Sequence, residues 1–252
     1  MRMIVTGASG TVGKELMNTI KEMGHQGIPM GRGDLDITSE DAVLAYLNTH
    51  QPDTIIHLAK ADETYTKWLA LWAKNHRKKF MFASSYKVFS GKSLEAPYQV
   101  YDKPDGTDEF AKYKIALEKL VFDVYPDSFI VRLAWQIGKA PGGYNMLSFI
   151  KDQMDKKGII QASKHLYLSA MFLKDTTRAI VELLEGYMPG LYHLESNDDY
   201  SFYDIIYYLK HQCGHDWIVL GDKKKFAKND VMENLKVKVP TFEQLGMIHH
   251  TD

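Results

Sequence analysis

Three glycines, Gly7, Gly10 and Gly13, stand three apart in "TGASGTVG", directly after the apolar run "MRMIVTG" and at the head of a helical pattern. Gly7 allows a tight turn, Gly10 lets the backbone approach a pyrophosphate, and Gly13 lets the helix pack close to the strand. The helix N-terminus adds free N–H groups and positive dipole character, so the chemistry offered is the holding of dinucleotide phosphates. A purely structural glycine turn is the alternative. At the end of the next apolar run, "MGRGDLD" presents Arg32 where a carboxylate would accept from the 2′-hydroxyl of NAD(H). A guanidinium there suits the 2′-phosphate of NADP(H), which becomes the expected cofactor, with NAD(H) second. The bland alternative is an Arg32 that faces solvent in a turn.

A second stretch with chemical content is "DEFAKYKIALEK", residues 108–119, in which Lys114 follows Phe110 by four positions. On a helix that spacing places both side chains on one face. Other candidates are weaker. Cys213 is the single cysteine, which excludes an intramolecular disulfide, and it makes a poor nucleophile candidate. His165, His193, His211, His215, His249 and His250 lack metal-ligand spacing, so no metal is expected. The stripe "FYDIIYYL" reads as core and interface, and its exposed tyrosines could support a homodimer.

Strands and helices must hold these residues in place. "MRMIVTG", "GIPM", "DTIIHLA", "KFMFASS" and "SFIVRLA" read as buried strands separated by helical segments, with Pro29 marking an edge or irregularity in the second. "TSEDAVLAYLNTH" opens on Thr38 or Ser39 as an N-cap. Such alternation implies right-handed crossovers and a doubly wound parallel sheet of Rossmann type. Residues 1–140 are expected to form this core. Residues 141–252 are expected to build a small substrate-binding lobe packed on it in one compact body, with "GLYHLE" as a strand.

A formal net charge of -1 gives no bulk attraction to nucleic acid or an anionic membrane. Short basic runs, "HRKK" and "DKKKFAK", read as solvated faces. No signal-peptide pattern and no apolar run of spanning length appear, so a cytoplasmic protein is expected.

The order of these motifs resembles the extended short-chain dehydrogenase/reductase superfamily, and within it the dTDP-4-dehydrorhamnose reductase group. "TGASGTVG" resembles the Thr-Gly-x-x-Gly-x-x-Gly turn, which implies cofactor contacts from Thr6, Gly7, Ser9, Gly10, Thr11, Val12 and Gly13. "GDLDIT" implies Asp36 and Ile37 near the adenine, and "PDTIIHLAK" implies Leu58, Ala59 and Lys60 against the cofactor. "ASSYKVFSG" is similar to Ser-Thr-Asp-Tyr-Val-Phe-Asp-Gly, which implies Ser85 as the catalytic hydroxyl with Ser84 beside the cofactor. "IVRLAWQIGKAPGGYNML" and "NDVMENLKVKVPTFEQLG" resemble later segments of the group. His57 falls where the superfamily often has a structural residue. The chain between Ala59 and Ser84 is shorter than the group's usual length, in a region that normally serves the substrate side; Asp62, Glu63 and Lys67 there read as solvated.

"KIALE" resembles the group's Lys-x-x-Gly-Glu, so Lys114 takes the place of the lysine that contacts the nicotinamide ribose. Phe110 then stands where the resemblance expects a catalytic tyrosine, and it has no proton to give. General acid/base assistance is worth about 10²–10⁴-fold in rate. Tyr113, Tyr86, Tyr144 and Tyr98 are the phenols available as substitutes; Tyr113 points about 100° away on the helix, and Tyr86 should face opposite Ser85 if the strand continues. Two main functions follow, with epimerisation or dehydration of a nucleotide sugar as a smaller third. One is an NADP(H)-dependent reductase of a nucleotide-sugar ketone with an impaired acid/base site; the other is a non-catalytic NADP(H)-binding regulator or sensor.

Overall fold

The computed structural model describes residues 1–92, 96–139, 142–214, 216–221 and 228–250. His215 and residues 222–227 of the second basic run lie outside the described residues. The first half of the chain alternates strictly: β1 (Arg2–Thr6), α1 (Thr11–Glu22), β2 (Gln26–Met30), α2 (Glu40–His50), β3 (Thr54–His57), α3 (Glu63–Asn75), β4 (Lys79–Ser85), α4 (Glu109–Val124) and β5 (Phe129–Leu133). The second half continues with β6 (Trp135–Ile137), α5 (Met146–Lys157), β7 (Ile160–Ala162), β8 (Leu166–Tyr167), β9 (Ala170–Phe172), α6 (Leu173–Gly186), β10 (Gly190–Leu194), α7 (Phe202–Cys213), β11 (Val219–Gly221) and β12 (Lys228–Asn229).

Six strands form one parallel sheet in the order β10-β5-β4-β3-β1-β2. Pro29 lies in β2 at the edge, where its missing donor does no harm. Both faces of the sheet are buried, and the strand period of two divides them. Met3, Val5, Met81 and Val131 pack with Leu16 of α1 and Ile180 and Leu183 of α6. Ile4, Phe80, Phe82 and Ile130 face the other way, onto Leu47, Leu69, Leu117 and Val121 of α2, α3 and α4. That two-sided burial is why these strands read as continuous apolar runs.

Residues beyond 140 divide their work. β10 pairs with β5 in the main sheet and α6 packs on α1, while α5 and α7 form a separate core with Ile137, Met146, Ile150, Ile205, Ile206 and Phe242. Glu195 joins these parts. Its buried carboxylate accepts from the Ser169 hydroxyl and from the N–H groups of Ala170, Ser196, Asn197 and Met232. Burial pushes that carboxyl up to about 8 despite the opposing pull of these donors.

Side chains cap most helices: Ser39 accepts from Ala42 N at α2, Asp62 from Tyr65 N at α3, Asp108 from Ala111 N at α4, Asn145 from Ser148 N at α5 and Ser201 from Asp204 N at α7. Helix α1 starts at Gly10 with no side-chain cap, so its first N–H groups are left for something else. Among the described residues no helix is long and apolar enough to cross a membrane, and no cluster could hold a metal ion.

Candidate functional site

Two cavities of about 550 Å³ each meet at Gly7, at the carboxyl ends of the sheet strands. The glycine turn between them is sterically specified. Gly7 has φ +71°, and a Cβ there would lie 2.9 Å from Ala59 N. A Cβ on Gly13 would come within 2.1 Å of the Gly7 carbonyl oxygen, so α1 can approach the turn only with hydrogen at that position. The uncapped α1 terminus thus lies open between the cavities, a site suited to a diphosphate.

Ser9, Arg32, Ile37, Ala59 and Lys60 line the cavity on the β2 side. Arg32 also lines a smaller hollow with Asp36 and Ile37. Two carboxylates lie near it: Asp34 Oδ2 accepts from Gly31 N at 2.9 Å, and Asp36 Oδ1 accepts from the Thr38 N–H and hydroxyl. The Thr38 hydroxyl and N–H hold the Asp36 carboxyl below the usual carboxylate range.

Thr6 lies beneath this surface. His57 is fully buried between two hydroxyls, Thr6 Oγ1 at 2.7 Å from Nδ1 and Thr66 Oγ1 at 3.1 Å from Nε2. Because the Thr66 hydroxyl already donates to Asp62 O, His57 Nε2 carries the proton and Thr6 donates to Nδ1. Thr6 Oγ1 in turn accepts from Ala59 N. Burial, with a smaller contribution from the Lys114 charge, pushes His57 down to about 3, so it stays neutral and structural.

The other cavity is lined on the turn side by Gly7, Gly10, Thr11, Val12 and Gly13, and opposite them by Leu58, Ser84, Ser85, Phe110 and Lys114. Lys114 is 6% exposed, and its Nζ donates to Ala83 O at 2.7 Å. Burial pushes this ammonium down to about 8, against the pull of Glu118. Phe110 is 37% exposed, 5.8 Å from Lys114 Nζ to the ring centroid. The two therefore share one face of α4 as their spacing predicts, and that face holds a cation and a ring with no hydroxyl.

Ser84 and Ser85 part company. The Ser84 hydroxyl donates to Glu118, which also takes Arg132 Nε at 3.0 Å and Arg132 Nη2 at 2.8 Å. This buried pair, with Arg132 Nη1 on His193 Nε2, binds α4 to β5 and β10. A charge placed inside the apolar patterns "IVRLA" and "IALEK" was its only trace in the sequence. Ser85 accepts from Lys87 N, capping the short helical turn Tyr86–Val88 that ends β4. That turn corrects the expectation that Tyr86 faces away: Ser85, Tyr86 and Lys87 all line the cleft.

Of the remaining phenols, Tyr113 is engaged with Ala61, donating to its O at 2.7 Å. Tyr98 stacks on Phe89 with 4.1 Å between centroids and does not line the cleft. Tyr144 does line it. Gln136 was not singled out by sequence; it also lines the cleft, and its Oε1 is buried with no hydrogen-bond partner among the described residues.

The parallel sheet, its uncapped first helix and the two-part cleft define a Rossmann-type protein of the extended short-chain dehydrogenase/reductase class. Within that class the chain belongs to the RmlD substrate binding domain family, whose model matches residues 1–217. It is 24% identical over 236 residues to the spore coat polysaccharide biosynthesis protein SpsK of Bacillus subtilis (strain 168), covering 87% of this chain and 82% of that one. It is 25% identical over 221 residues to the dTDP-4-keto-6-deoxy-D-glucose reductase of Streptomyces niveus, covering 81% and 76%. The crystal structure of dTDP-4-dehydrorhamnose reductase from Bacillus anthracis str. Ames, in complex with NADP, superposes with a TM-score of 0.81 at 20% identity over 96% of each chain.

Proposed function

We propose that this protein binds NADP(H) and reduces the keto group of a nucleotide-sugar, at a rate limited by proton delivery. The observation that carries the reading is the uncapped N-terminus of α1 opening between two cavities, with Lys114 buried at the far wall of one. The chain's residues fit a dinucleotide: the α1 N–H groups hold its diphosphate, Arg32 takes the 2′-phosphate, and Lys114 reaches the nicotinamide ribose. NAD(H) is the second choice, because the end of β2 presents the guanidinium of Arg32 where a ribose-binding carboxylate would stand. When bound, the reduced nicotinamide supplies hydride. Ser85 orients the carbonyl oxygen, and Gln136 Oε1 is a free acceptor for a sugar hydroxyl. The dTDP-4-keto-6-deoxy-D-glucose reductase among its relatives supports the substrate class.

A second reading, a non-catalytic NADP(H)-binding regulator, draws on one observation: Phe110 occupies the cleft face beside Lys114 without a hydroxyl. Fluorescence titration with NADPH and NADH separates cofactor binding from none, and turnover of dTDP-4-dehydrorhamnose separates the two readings. Binding of NADPH with slow turnover is expected. Failure to bind either dinucleotide overturns both readings.

A further inference from the structure

Two phenols other than position 110 line the catalytic side of the cleft, and their surroundings differ. A phenol that gives up its proton leaves a phenolate, which a cation stabilises and carboxylates oppose. Tyr86 fails that test: burial first, then the nearby Asp230, Tyr144, Glu195 and Asp108, hold its proton well above the ordinary phenol range. Its hydroxyl can donate a hydrogen bond to a substrate, but it is a poor source of a proton.

Tyr144 is exposed and has a cation as its hydroxyl's partner. Lys87 Nζ donates to its hydroxyl oxygen at 3.3 Å, and the same ammonium lies 5.8 Å from the Tyr144 ring centroid and 6.0 Å from that of Phe110. One lysine is therefore within 6.0 Å of both the tyrosine ring and the ring of Phe110. The segment carrying Tyr144 is also held down. Tyr144 N donates to Thr11 Oγ1 at 2.9 Å, in the first turn of α1, and Gly142 N donates to Ser148 Oγ at 2.7 Å. Gly143 has φ +61°, and a Cβ there would lie 2.3 Å from Thr11 Oγ1, so the segment rests on the glycine turn only because position 143 has no side chain.

We propose that Tyr144, activated by Lys87, is the proton donor of this cleft in place of the phenol missing at position 110. The proposal rests on the reductase reading above. In the step, hydride from the reduced nicotinamide dinucleotide forms a C–H bond at the substrate's carbonyl carbon, and the carbonyl π pair moves to oxygen. The Tyr144 O–H bond breaks, its proton goes to that oxygen to give the alcohol, and the electron pair remains as phenolate beside the Lys87 ammonium. Tyr144 is 73% exposed, so water restores its proton.

The test combines Tyr144→Phe, Tyr86→Phe and Lys87→Met, with turnover of dTDP-4-dehydrorhamnose, NADPH titration and tetranitromethane nitration mapped by peptide mass spectrometry. Tetranitromethane attacks phenolate, and Tyr101, 80% exposed, is an internal control. Expected results are a loss of about 10²-fold in kcat for Tyr144→Phe with NADPH binding unchanged, and a raised KM with a smaller kcat change for Tyr86→Phe. In the cofactor-free protein, Tyr144 should be nitrated several-fold faster than Tyr101, and Lys87→Met should remove that difference. A Tyr144→Phe rate within twofold of wild type overturns the proposal, as does nitration of Tyr144 no faster than Tyr101. A wild type that binds NADPH but turns over no substrate overturns the reductase reading and this proposal with it; a wild-type rate untouched by Tyr144→Phe overturns the proposal alone.

Discussion

The glycine turn and the cleft face of α4 confront each other across one cavity, yet they depend on their sequences in different ways. The turn works through backbone N–H groups and through space, and its requirement is that Gly7 and Gly13 carry no Cβ. The α4 face works through side-chain atoms. Lys114 keeps its nitrogen in place, whereas a single missing oxygen at Phe110 removes the proton that this position would supply. A binding function built on the backbone can thus persist beside a catalytic function that depends on one atom.

The largest effect should come from the turn. Gly13→Val forces a branched side chain into a site where even a Cβ meets the Gly7 oxygen at 2.1 Å. Overpacking of this kind costs about 1–3 kcal/mol or more. A lower melting temperature and the loss of NADPH binding by fluorescence titration are expected; retained binding would show that the turn is not the anchor.

Lys114 comes next. Its pKa is about 8 in the fold against 10.5 unfolded, so between those values the unfolded chain binds the extra proton and stability rises with pH. The rise is up to roughly 3 kcal/mol. Urea unfolding across that window should show the slope in wild type, and Lys114→Met should flatten it while weakening NADPH binding.

Phe110→Tyr sharpens the contrast from the other side. Returning a hydroxyl to a ring whose centroid lies 5.8 Å from the Lys114 ammonium should raise kcat by about 10–100-fold without changing NADPH affinity. No gain with cofactor still bound would favour the regulatory reading. The smallest effect is expected from Arg32→Ala, which should weaken NADPH about tenfold and leave NADH unchanged, since one charge-assisted contact is lost. Equal loss for both dinucleotides would place Arg32 elsewhere than at the 2′-phosphate.

Much of the frame was legible because it follows from short-range rules. Apolar strand runs, the helix started at Ser39 and the four-residue step from Phe110 to Lys114 each depend on neighbours within a turn or two, whereas the Asp62 and Asp108 caps came to light only in the structure. Tyr86 was misread because periodicity assumes a strand continues, and β4 instead ends at Ser85, whose own hydroxyl caps the turn that swings Tyr86 and Lys87 into the cleft. The Glu118–Arg132 pair was signalled only by charge in apolar runs, and no local rule said which charge met which.

By itself, the sequence determined the doubly wound sheet, the glycine turn and the absence of a hydroxyl at position 110, because each is a property of residue type and spacing. Only the tertiary structure decided which phenol stands by which charge. Lys87 and Tyr144 are 57 residues apart, and they meet because Gly143 lets its segment lie against Thr11, a contact between distant surfaces that no periodicity encodes.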